Sequence, residues 1–120
     1  MNETLKTNME KALKEAEKLS DDLVEMENEL LTFQQKRDEI EVPVKIEITM
    51  ELDEKGKPKY SNDFKREAEL KERLKGNSVY TSTIKNIVDC MKDIDKLKRQ
   101  IKYKEMEFSM WKALCYAGKD

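Results

Sequence analysis

The chain contains no histidine, two cysteines, two prolines and three glycines in 120 residues, and each shortage removes a class of chemistry. Without imidazole there is no histidine general base and no common zinc site, and the serine and cysteine triads lack their base. Cys90 and Cys115 stand 25 positions apart on what reads as one helix, too far to form a disulfide. They are expected to be free thiols in a reducing compartment, each acting as a small apolar residue rather than a redox centre. Three glycines cannot build a glycine-rich phosphate loop. The sequence has no stretch of eighteen apolar residues and no basic-then-apolar amino terminus, so the expectation is a cytoplasmic protein with neither membrane span nor secretory signal. Only a carboxylate-based site would remain, and the sequence is read as non-enzymatic, with no catalytic residue, no metal and no cofactor.

What the chain does have is charge and period. Charged residues make up 42% and hydrophobic ones 38%, yet the net charge is only −2. Charges of both signs beside a regular apolar spacing point to long exposed helices or a coiled coil rather than to disorder. The length fits a single domain, 1–120.

A first helix is expected over 2–40. Leu5, Met9, Ala12, Ala16, Leu19, Leu23, Met26, Leu30, Phe33 and Ile40 follow one another in steps of four and three, broken only by Arg37. Pro43 disfavours helical geometry in the residue before it, which sets the expected end between Ile40 and Val42. From there VPVKIEITMEL alternates perfectly: Val42, Val44, Ile46, Ile48, Met50 and Leu52 are apolar, and every residue between them is not. Such a period of two predicts a strand. Asp53 to Pro58 reads as a turn and Lys59 to Ser61 as a short returning strand, giving a β-hairpin over 42–61. Asn62 or Asp63 caps a short helix over 63–75, with Gly76 as its C-cap, and Asn77 or Ser78 caps a long helix over 78–117. On this last helix Tyr80, Ile87, Ile94, Ile101, Phe108 and Cys115 recur every seventh residue, with Ile84, Met91, Leu97 and Trp111 as companions.

The expected fold is therefore mainly α, a long antiparallel helical hairpin or coiled coil with a small β-hairpin and a short helix inserted at one end. Its register pairs positions whose numbers add to roughly 120, which sets the small Ala12 and Ala16 against the large Phe108 and Trp111. It also sets the acidic Asp21, Asp22, Glu25, Glu27 and Glu29 across from Lys92, Lys96, Lys98 and Arg99. A returning strand of three residues cannot pair all of 42–52, so Val42, Val44, Ile46, Ile48, Met50 and Leu52 are expected to form an oligomer or partner surface. Homo-oligomerisation follows.

The richest candidate for ligand recognition is the run KLKRQIKYK, where Lys96, Lys98, Arg99, Lys102 and Lys104 surround Tyr103. Bases interleaved with an aromatic can grip phosphates and stack unpaired nucleobases. The competing reading is a salt-bridged face matched to the acidic helix. Asp89, Asp93 and Asp95, placed near Glu25, Glu27 and Glu29, are expected to be solvated acidic surface rather than a divalent-metal site.

Two resemblances bear on function. The layout of helix, β-hairpin and helix is similar to a prefoldin beta-type chaperone subunit, which implies a holdase role. Over the last sixty residues or so, Asn62-Asp63, Arg66, Ala68, Leu70, Leu74, Asn77 and Tyr80, with Tyr103, Glu107 and Phe108 closing the long helix, resemble small coiled-coil proteins from the early regions of phages and prophages of Gram-positive bacteria. That likeness implies a neighbourhood of recombinases and single-stranded DNA binding proteins, and residence in the host cytoplasm. The resulting expectation is a non-enzymatic, oligomeric coiled-coil adaptor. It would act by contacts with itself and with a phage or host protein, as an accessory to recombination or replication; a prefoldin-like holdase or an inhibitor of a host protein is a further alternative. Direct single-stranded nucleic-acid binding is the alternative.

Overall fold

The computed structural model describes residues 3–118, and the chain is mainly helical. Three helices follow in order: α1 over Glu3–Met50, α2 over Asp63–Leu74 and α3 over Ser78–Ala117. Asn2, where the sequence reading starts the first helix, lies outside the described residues. Two compact units divide the chain, one made of the segments up to Glu29 and from Cys90 onward, the other of Leu30–Asp89.

In the first unit α1 and α3 run antiparallel. The Lys104 ammonium meets the Glu15 carboxylate, and the Cys90 thiol donates to the Met26 carbonyl at 3.3 Å. Both contacts join positions whose numbers add to roughly 120, the spacing that an antiparallel seam of this register requires. Ala12, Ala16, Cys90, Ile94 and Cys115 are buried, while Phe108 and Trp111 are half-buried. By register the two small alanines fall close to the large Phe108 and Trp111, the small-against-large arrangement by which facing layers fill space.

In the second unit α2 and the loop before it close over the end of α1. The core is Ile48, Leu74, Thr83 and Ile87. Both cap residues are asparagines: the Asn62 side chain accepts from the Lys65 amide at 2.8 Å and that of Asn77 from the Tyr80 amide at 3.0 Å. Each satisfies a backbone donor that the first turn of a helix leaves unpaired. Gly76 does not adopt the left-handed conformation expected of a C-cap glycine. Instead the Asn77 amide closes a tight turn onto the Leu74 carbonyl at 3.0 Å.

The expected β-hairpin over 42–61 is corrected. Among the described residues no strand forms, and what survives of the hairpin is one antiparallel bridge, Leu52 with Pro58. Two backbone bonds flank it, Lys59 amide to Glu51 carbonyl at 2.9 Å and Asp53 amide to Lys57 carbonyl at 2.7 Å. The Asp53 carboxylate accepts from the amides of Lys55 and Lys57, and Gly56 takes a φ of 76° that a side chain would resist. The remainder of VPVKIEITMEL is the last part of α1, which runs through Pro43 to Met50. A physical reason is visible in the seam. Glu41 and Ile48 are buried one heptad apart with Val44 half-buried between them, so helix continues the existing interface, whereas a strand here would find a partner only three residues long.

Candidate partner-binding faces

Winding the alternating segment into a helix divides its apolar residues between two faces. Residues four apart in a helix stack on one side, and residues two apart point in nearly opposite directions. Val44 and Ile48 therefore turn inward, and Val42, Ile46 and Met50 form an outward stripe. Ile48 is 1% exposed and Ile46 53%. The six residues expected as one partner surface are not one surface. Leu52, beyond the helix, is exposed beside the bridge.

A second feature of this unit is polar. Glu41 lies buried in the seam, accepts from the Tyr80 hydroxyl at 2.8 Å and lies 3.6 Å from the Lys45 ammonium. Arg37, one turn earlier, is half-buried and bonded to Asp38 at 3.1 Å. Polar partners inside an apolar seam oppose slippage, because a shifted register would leave Glu41 buried without them. Burial first, then the Glu41 carboxylate, pushes the Tyr80 hydroxyl up to about 12. Because the folded value is raised, the stability from this pair is complete below the ordinary tyrosine value near 10 and is lost as pH rises toward about 12. Urea unfolding across that interval should show a fall in stability that Tyr80→Phe lacks, and equal slopes for the two chains would refute the linkage.

At the end of α1 an ionic cluster binds helix to loop to α2. The Arg73 guanidinium reaches both Glu51 and Glu69 and lies over the Tyr60 ring, 5.8 Å from its centre. Lys59 adds a 3.3 Å contact to Glu51. Arg73, and next Lys59, hold the Glu51 carboxyl below the usual carboxylate range. Sequence reading missed this cluster; the Glu69–Arg73 spacing of four was its one local signal.

The basic run on α3 divides as well. Lys104 turns to Glu15 and to Glu107 at 3.1 Å, so it belongs to the hairpin. Lys96, Lys98, Arg99 and Lys102 are exposed and, among the described residues, form no ion pair. Tyr103 is 71% exposed among them. Among the described residues the acidic run they were expected to match makes one ion pair, a long one of 3.9 Å between Asp22 and Lys18 of its own helix. Lys96 shares a shallow groove with Asp22, Glu25, Glu29 and Asp93.

None of the three comparisons, with protein-family models, curated proteins and solved structures, finds a match. Among the described residues no group of three or more cysteine, aspartate or glutamate side chains is placed to hold a metal ion. Among the described residues no helix is long and apolar enough to cross a membrane. Both cysteines are buried, and burial, then the charges of Glu29 and Asp93, push the Cys90 thiol up, away from the reactive thiolate. On the outward sides of α1 and α3, by contrast, large apolar residues recur: Leu13, Val24, Leu31, Val42 and Ile46 on one, Tyr103, Met106, Met110 and Leu114 on the other.

Proposed function

We propose that this chain is a non-enzymatic coiled-coil adaptor of phage type, which self-associates and acts through protein contacts as an accessory to recombination or replication. The observation that carries the reading is the second apolar stripe on each long helix. A two-helix hairpin needs one seam per helix, and a further exposed one marks a surface awaiting a helical partner. The phage context draws on the likeness of residues 62–108 to early-region coiled-coil proteins. Most of the first strand of the β-hairpin on which the prefoldin likeness rests, residues 42–50, is helix here. Light scattering coupled to size exclusion, at several protein concentrations, tests self-association: a mass above 14.2 kDa that grows with concentration is expected. A single-chain mass throughout would overturn it.

One observation favours a second reading. Lys96, Lys98, Arg99 and Lys102, unpaired around the exposed Tyr103, have the composition of a single-strand binding surface. Anisotropy of a labelled single-stranded oligonucleotide would then show binding that falls steeply with salt and is lost when Lys98, Arg99 and Lys102 become Glu. No binding at low salt returns these bases to a protein partner.

A further inference from the structure

Resting on the adaptor reading, we propose that the outer face of α3 in the first unit docks on the outer face of α1 of a second copy of this chain. Each face is a seam in its own right. On α1 the outward positions Leu13, Glu17, Ser20, Val24 and Glu27 follow in steps of four and three, and on α3 Lys92, Lys96, Arg99, Tyr103, Met106 and Met110 do the same. All eleven are exposed in the single chain.

The two faces are opposite in charge. The α1 face carries Glu17 and Glu27 and no base, the α3 face Lys92, Lys96 and Arg99 and no acid; counted over all sides, Glu17 to Glu29 holds six acids against one base and Lys92 to Lys104 six bases against two acids. Among the described residues Glu17 and Glu27 form no ion pair, nor do Lys92, Lys96 and Arg99. Glu17, Glu27, Lys92 and Arg99 are therefore free for an outside partner, while Lys96 also borders the groove it shares with Asp22, Glu25 and Glu29 of its own chain.

Their order along the helices matches too. Laid antiparallel, Glu27 falls beside Lys92, Glu17 close to Arg99 and Tyr103, and Leu13 against Met106 and Met110. Ser20 then faces Arg99 and Val24 faces Lys96, so Glu17 and Glu27 flank the three bases while Leu13 meets the methionines. Like stripes would meet badly: laid parallel, α1 on α1 opposes acids and α3 on α3 opposes bases, and laid antiparallel each sets its charges against apolar residues, Glu27 against Leu13 and Lys92 against Met110. This mismatch selects the unlike pairing.

The test is charge reversal in the full chain. One variant changes Glu17, Asp21 and Glu27 to Lys, making both faces basic; the other changes Lys92, Lys96 and Arg99 to Glu, making both acidic. Each alone should self-associate roughly tenfold more weakly than the wild type, or worse, and the two mixed should pair again. Helical content by circular dichroism checks that both fold. Should either lose helicity, Met106→Gln with Met110→Gln decides, since these side chains are exposed in the single chain: weakened association at full helicity supports the interface, and unchanged association overturns it. Reversed variants that associate as the wild type does overturn this interface while leaving the adaptor reading with another face. A wild type that stays single at every concentration overturns both the interface and the self-association.

Discussion

Ile48→Ala should destabilise the protein by about 2–5 kcal/mol, the usual cost of truncating a buried isoleucine, while Ile46→Ala should change stability by no more than about 0.5 kcal/mol. The contrast is a direct consequence of helix. In a strand the two side chains point the same way and would be lost at similar cost. In α1 they lie on nearly opposite sides, Ile48 within the core formed with Leu74, Thr83 and Ile87, and Ile46 in solvent. Leu74 brings α2 onto this core, so a cavity at Ile48 also loosens the element that covers the end of α1. Urea unfolding of the two variants beside the wild type measures both costs. Equal losses at the two positions would return Val42 to Leu52 to a strand.

The same segment shows what could and could not be seen in the sequence. The inner seam of α1 as far as Phe33 and the asparagines that begin α2 and α3 were legible, because each is a local signal: a repeat of 3.5 residues, or an acceptor three positions before the amide it caps. Small Ala12 and Ala16 against large Phe108 and Trp111 was legible as well, since residue volume is read without coordinates. The alternating segment was not, for a geometric reason. Val42, Ile46 and Met50 are spaced four apart, and so are Val44, Ile48 and Leu52, so a period of two also makes two helical stripes. Which of these is buried depends on α2, on Thr83 and on the Glu41–Tyr80 bond, which joins residues 39 positions apart. On α3 the inward companions early in the helix are Thr83 and Cys90, and Met91 is exposed. An apolar ranking passes over a threonine whose hydroxyl is satisfied by the Val79 carbonyl of its own helix, at 2.8 Å. Likewise the run from Lys96 to Lys104 is visible as composition, but the departure of Lys104 toward Glu15 follows only from the register of two helices.

Pro43→Ala should stabilise the protein by up to about 3 kcal/mol, the difference between proline and alanine inside a helix. Pro43 lies within α1, seven residues before its end. It has no amide to donate to the Glu39 carbonyl, and its ring crowds that carbonyl. Nothing in the fold makes use of the ring, which is exposed; the helix continues because Glu41, Val44 and Ile48 extend the seam beyond it. Restoring the amide supplies the missing bond and removes the bias of Val42 toward extended geometry. For a chain of this length the gain corresponds to a rise in melting temperature on the order of 10 °C. Hydrogen exchange locates it: amides of 44–50 should become better protected than in the wild type, with those of the first unit unchanged. In an extended segment proline costs far less, so a melting temperature that stays the same or falls would mean that the helix does not pass through Pro43.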